Sequence, residues 1–283
     1  MLITIAGHNG FIGKSLSNYL IIKGHTIVKF NRDDFLNNRN DTKISDSDIV
    51  INLTGKPIIG RWTSKYKQEI YNSRINTTKK IVEIISKSVK KPKLFINASA
   101  IGIYSNSGIH DDYSNNYSEN FISTLVSDWE NEAKKAELYG VRTIITRFGI
   151  VLAKKGGAFP QMLKPFNYYV GGNIGTGEQY FSFIHIDDLL NAFNYVIDNS
   201  ESNGIYNFVS PNHIKNKDFT KALSKKLNKS AYFNIPEWLL KLIYGEGASV
   251  LTDGQAVIPK RLIDSNFKFK YPDIENALNE LLP

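Results

Sequence analysis

"LITIAGHNGFIGKSLSNYL", residues 2–20, decides the fold. The run Leu2 to Ala6 reads as a short buried strand. Gly7, Gly10 and Gly13 follow at intervals of three, and Ile12, Leu16, Tyr19 and Leu20 then recur at helical spacing. A strand, a glycine turn and a helix in direct succession make an anion site. The glycines let the backbone approach a phosphate, and the free N–H groups at the helix start supply partial positive charge.

Working outward, strand-like runs Thr26–Phe30, Ile49–Leu53, Leu94–Ala98 and Arg142–Arg147 alternate with helical patterns over residues 64–87 and about 121–139. Such alternation requires parallel crossovers, and short apolar strands suit a sheet covered on both faces. The expected class is α/β, a doubly wound parallel Rossmann sheet with a small C-terminal substrate-binding domain. Residues 1–155 form the core, rejoined by about 181–200, and residues 156–283 form a loop-rich cap with C-terminal helices. The strand-like "GIYNFV", 204–209, is grouped with that cap, and the polar connection 31–48 reads as a loop or short helix.

Composition narrows the chemistry. The chain has no cysteine, which excludes disulfides, thiolate catalysis and cysteine-ligated zinc. His25, His110 and His213 lack metal-ligand spacing, so no metal is expected. The net charge of +8 comes largely from scattered lysine pairs without interleaved aromatics, a solvated surface rather than a nucleic-acid footprint. No apolar run approaches a membrane span, and Leu2–Ala6 is too short for a signal peptide, so a cytoplasmic protein is expected.

A dinucleotide fits the opening turn. Gly7, Asn9, Gly10, Phe11 and Ile12 would surround its pyrophosphate, with Leu53, Thr54, Gly55 and Ala98 at the next strand ends and Arg74 on the long helix. The second strand ends in "KFNRDD". Arg32 there favours NADP(H) over NAD(H), since a basic residue accommodates a 2′-phosphate, while Asp33 and Asp34 can compete for it. Three residues are catalytic candidates. Ser99 can polarise a carbonyl or simply form a turn, and Tyr104 is the nearest phenol, able to donate a proton or to pack. His185 titrates in the useful range or satisfies a strand–helix junction. Asp187 and Asp188 read as a helix N-cap, Arg147 and Arg261 as clamps for an anionic substrate or as ion-pair members, and Trp62 as pocket floor or core.

The stretches "GHNGFIG", "INLTGKPIIGRWTSKYKQEIYNSRINTTKKIV", "NASAIGIYS", "TRFGIVLAKKGGAF", "GGNIGTGEQYFSFIHIDDL", "YNFVSPN" and "PKRL" together resemble the atypical, epimerase-like branch of the extended short-chain dehydrogenase/reductases. The resemblance runs nearly end to end. It implies an NAD(P)-binding domain in which Gly7, Gly10 and Gly13 line the pyrophosphate, Arg32 the 2′-phosphate, and Leu53–Gly55 the third-strand loop, with Ser99 as the active-site hydroxyl. Two features depart from the typical pattern. His8 follows Gly7 in the loop, where its backbone N–H still serves. The Tyr-x-x-x-Lys pair, in which lysine lowers the tyrosine pKa for proton transfer, is missing. Only Tyr19 and Lys23 have that spacing, on the first helix where Tyr19 is needed for packing, while Ile122 and Val126 stand where the pair is expected. Two functions fit: an NADP(H)-dependent epimerase-like oxidoreductase acting on a small polar substrate, with an anionic group as one option, or a non-catalytic NADP(H)-binding regulator.

Overall fold

The computed structural model describes residues 1–31, 33–36 and 41–282. Its centre is a parallel sheet of six strands: β1 (Leu2–Ala6), β2 (Thr26–Phe30), β3 (Ile49–Asn52), β4 (Leu94–Ala100), β6 (Arg142–Phe148) and β10 (Gly204–Phe208), in the order β10-β6-β4-β3-β1-β2. Side chains alternate across it. Ile49, Ile51, Leu94, Ile96 and Ile144 face one layer, and Val50, Phe95 and Ile145 face the other. The first layer holds α1 (Phe11–Ile22) and α6 (Ile186–Asp198), the second α3 (Ser64–Lys87) and α4 (Phe121–Lys134). Both long helices of the second layer start on side-chain caps: Thr63 accepts from the Tyr66 N–H and Asn120 from the Ser123 N–H.

The chain leaves β1 for β2 on one side and then crosses to β3 on the other. That reversal opens a crevice outside the carboxyl ends of β1 and β3, where doubly wound folds bind ligands. The crossover carries a 3₁₀ turn at Asp33–Leu36 and the single turn α2 (Thr42–Ser45) rather than a long helix.

Among the described residues, three short strand pairs lie outside the main sheet: β5 (Ile109–His110) with β12 (Ala256–Val257), β7 (Ile150–Leu152) with β9 (Phe183–His185), and β8 (Tyr180–Phe181) with β11 (Ile214–Lys215). The C-terminal part adds α5 (Phe159–Asn167), α7 (Asn216–Leu227), α8 (Glu237–Tyr244), α9 (Ser249–Thr252), α10 (Lys260–Asp264) and α11 (Ile274–Leu281). Phe159, Phe166, Phe181, Phe219, Leu223 and Leu278 give it a core of its own. One strand corrects the sequence reading. Gly204–Phe208, grouped there with the cap, pairs with β6 as the edge of the main sheet, because Tyr206 and Phe208 bury into the α6 layer.

Buried carboxylates tie the C-terminal segment to the core. Asp188, fully buried, accepts from the Lys270 and Tyr271 N–H groups at 2.7 and 2.8 Å, and Asp112 accepts from the Asn207 and Arg261 N–H groups. Asp188 therefore pins this segment instead of capping α6, a task that falls to His185. Asp188→Ala leaves two N–H groups without acceptors and should lower the unfolding free energy by about 2–4 kcal/mol in urea titrations, with Asp188→Asn losing roughly half of that.

Candidate functional site

The glycine turn is shaped by contacts that exclude side chains. Gly7 has φ +85°, and a Cβ on it would fall 2.8 Å from the Leu53 carbonyl carbon. A Cβ on Gly13 would fall 2.3 Å from the Gly7 oxygen and 2.6 Å from the His8 Cα, so the first turn of α1 rests directly on the loop. Gly10 donates its N–H to the Gly7 carbonyl at 3.0 Å and caps α1 without a side chain. The leading N–H groups are thus left for a ligand. His8 is buried, and desolvation with nearby Lys29 lowers its pKa, so the ring stays neutral beside the turn and adds no charge.

From this turn a trough runs along the strand ends. Its outer part, about 780 Å³, is walled by Gly7–Gly10, Phe30, Asn31, Phe35 and Leu53–Lys56. Its inner part, about 490 Å³, shares Gly7, Gly10 and Leu53–Lys56 and continues past Phe11, Ile12 and Arg74 to Ala98–Ala100, Leu125 and Trp129. Asn9 donates to the Asn31 side chain across the outer end at 3.2 Å. Arg32, the expected 2′-phosphate ligand, lies outside the described residues. Asp34 is buried, accepts from the Asn31 N–H and from Lys43, and does not line the trough.

A buried amide bridge, not anticipated from sequence, fixes the inner walls. Asn52 donates to Asn97 at 2.7 Å and to Thr78 at 2.9 Å, and its oxygen accepts from both the N–H and the hydroxyl of Thr54. Trp129 donates to Thr78 as well, which joins α4 to the same cluster. The usable signal was an asparagine in each of two otherwise apolar strands. Arg74 stacks over Trp129 at 5.2 Å and donates to the Ile70 carbonyl at 3.2 Å. Gly55 makes room for it, since a Cβ there would fall 3.0 Å from the guanidinium carbon. Desolvation lowers the Arg74 pKa to about 10, which keeps it charged at neutral pH, and no carboxylate pairs with it among the described residues.

The catalytic candidates do not converge. Ser99 lines the inner trough, but its hydroxyl donates to Glu130 at 2.5 Å. Glu130 in turn holds Arg147 through two bonds of 2.7 Å. Arg147 is fully buried and lies between Tyr104 and Tyr117; burial opposes its charge, yet Glu130 holds its pKa above the ordinary value. It is an internal ion-pair member, not a substrate clamp. Arg261 likewise serves the backbone, donating to the Asn203 and Ile205 carbonyls. Tyr104 is sealed from solvent, with its hydroxyl bonded to the Asp111 carbonyl and Asn207, and burial pushes its pKa up to about 12. His185 accepts from the Asp187 N–H, faces Glu280 at 2.9 Å and packs on Tyr271, away from the trough. Trp62 is core, buried with Ile70 and Leu125, and Tyr19 bonds Asn191 on α6. Ile122 and Val126, at the positions expected for the Tyr–Lys pair, line the inner trough.

A doubly wound sheet with a glycine turn, an unblocked helix start and a trough across the switch point is the arrangement of the dinucleotide-binding fold. The chain belongs to the NAD dependent epimerase/dehydratase family, whose profile matches residues 3–208, and residues 235–281 match a domain of unknown function, DUF1731. It is 35% identical over 298 residues to the epimerase family protein YfhF of Bacillus subtilis, covering 100% of this chain and 98% of that protein. The epimerase family protein SSP1921 of Staphylococcus saprophyticus is also 35% identical, covering 98% of both chains. Among solved structures, human epimerase family protein SDR39U1 with NADPH superposes with a TM-score of 0.89 at 27% identity, covering 100% and 99% of the two chains. A nucleoside-diphosphate sugar epimerase from Corynebacterium glutamicum gives 0.82 at 26% identity, covering 100% of this chain and 58% of that one.

The contacts of Glu130 and Gly13 can each be tested. Glu130→Ala strands a buried guanidinium and should cost about 3–5 kcal/mol in chemical denaturation, most of it recovered when Arg147→Met is added. Gly13→Ala forces α1 off the loop and should lower the unfolding free energy by about 1–3 kcal/mol in the same measurement.

Proposed function

We propose that the chain is an NADP(H)-dependent, epimerase-like oxidoreductase acting on a small molecule admitted beneath the cap. The observation that carries the reading is the continuous trough from Asn31 at the end of β2, past the open start of α1, to Ala98 and Ser99 at the end of β4. The residues present suit a dinucleotide: Gly7 and Gly13 let β1, β3 and α1 close directly on one another, and Gly10 leaves the first N–H groups of α1 without a side-chain cap. Preference for NADP(H) is supported by Arg32 in the sequence after β2, by the inward-turned Asp34, and by the NADPH in the human relative.

Bound in the trough, the nicotinamide would supply hydride exchange. The N–H groups of α1 would hold the diphosphate, with Asn9, Phe11 and Ile12 around it and Leu53–Gly55 on the far side. Arg74 supplies the fixed positive charge of the inner part, for a phosphate or for a substrate oxygen. Ile122, Leu125, Val126 and Trp129 give that end an apolar wall. Ser99, whose proton is directed at Glu130, can receive a hydrogen bond there but not give one. Tyr104 holds its proton at neutral pH and is closed off, so proton delivery is assigned to solvent. Those same two observations favour a second reading, a regulator that binds NADP(H) without turning it over.

One experiment separates the two. Purified protein is incubated with NADPH and a metabolite extract, and nicotinamide absorbance is followed with metabolite masses. Oxidation with a matching product mass is expected; saturable NADPH binding without oxidation would favour the regulator. Arg74→Gln should weaken NADPH binding or slow its turnover by about tenfold, the scale of one charge-assisted contact.

A further inference from the structure

Beside the trough lies a second cavity that the proposed function has not used. It measures about 530 Å³, within the range in which proteins hold small organic ligands, and it sits among α5, α7 and α8. Its walls are apolar: Met162, Phe166, Phe181, Phe219, Ile235 and Leu240. Among its described lining residues there is no lysine or arginine, and the one charged side chain is a carboxylate, Asp253. The helices that open against it do not compensate. The first N–H groups of α7, on Asn216 and Lys217, are engaged by the Gln179 and Gly177 carbonyls, and α5 has Pro160 in its first turn. Apart from Asp253 its polar groups are neutral: the amides of Gln161, Gln179 and Asn216 and the hydroxyls of Tyr180, Thr220 and Tyr244. The Gln179 NH₂ donates to the Ile174 and Leu251 carbonyls, and the Asn216 oxygen accepts from the Ile174 N–H.

The cavity adjoins the inner trough through paired residues. Ile58 lines the trough and Ile59 the cavity; Val151 lines the trough and Ile150 the cavity. Between them stands Phe11, which lines the trough while its ring lies against Gly156 and Gly157, where added Cβ atoms would fall 2.5 and 3.1 Å from it. A molecule seated under the cap thus lies next to the inner end of the trough.

We infer that this cavity takes an uncharged, largely apolar small molecule carrying a hydroxyl or carbonyl, and not a sugar nucleotide. Its role as substrate site rests on the proposed reading of the trough. A nucleotide diphosphate brings at least two negative charges that require cations or free N–H groups, and here it would meet apolar walls and Asp253. An apolar body gains from the same walls, and the neutral amides and hydroxyls among them suit a neutral oxygen. This departs from the polar substrate expected from sequence, since the cap residues that make the cavity are apolar at positions scattered over eighty residues.

Nile red, a neutral dye whose emission shifts in apolar surroundings, tests the assignment on the full chain. Saturable, blue-shifted binding is expected, with no displacement by excess UDP-glucose. Gln161→Trp, at an exposed position on α5, and Met162→Trp should each fill the cavity and weaken dye binding by about tenfold or more, while NADPH binding, read by its own fluorescence, stays unchanged. Displacement by UDP-glucose, absence of saturable dye binding, or dye binding indifferent to both substitutions would overturn the inference. Dye binding that obeys these expectations in a protein that fails to bind NADPH would instead overturn the reading of the trough.

Discussion

The backbone of Gly7 and His8 is pressed against the start of α1 on one side and against Leu53 on the other. Three elements meet at this turn, so its shape fixes where β3 ends, where α1 begins and how far apart they stand. A helix start aimed into a crevice is useful only if nothing caps it from within, and Gly10 provides that by having no side chain to fold back. The open helix start thus follows from the absence of side chains at three positions, where β1, α1 and β3 pack directly on one another.

At the other end of the trough the constraint is electrical. Glu130 and Arg147 are both buried and paired, and Glu130 holds the Arg147 pKa above its ordinary value. The pair joins α4 to β6, and through Ser99 it reaches β4, so three elements of the inner wall share one charge-balanced cluster. Such a pair is weak evidence for stability, because two apolar residues could serve as well, but breaking it is costly. It also settles the direction of the Ser99 hydroxyl, a detail on which any polarising role would depend.

The strands, the long helices and the glycine loop were legible because their information is local: periodicity, turn residues and spacing lie within twenty positions of one another. Gly204–Phe208 was not, since a strand that ends a sheet and one that decorates a cap have the same sequence signature, and only its pairing with β6 separates them. Arg147 and Tyr104 stayed open between a ligand role and an internal one for a related reason. Their partners Glu130 and Asn207 are distant in sequence, and a charged or phenolic side chain near a strand end looks the same whether it faces a ligand or the interior. Asn52 and Asn97 were visible as polar interruptions of apolar strands, yet nothing local shows that they bond each other.

Val126 is buried among Ile101, Ile103, Tyr104 and Val257, and the Ile122 side chain lies where a Cβ on Gly102 would come within 2.8 Å of it. Both side chains also border the inner trough, so a tyrosine and a lysine in their place would face the trough on one side and, on the other, Gly102 and the aliphatic carbons around Val126. Installing such a pair therefore asks more of the chain than two substitutions, because the floor under residue 122 and the apolar ring around residue 126 are shaped for the side chains already there.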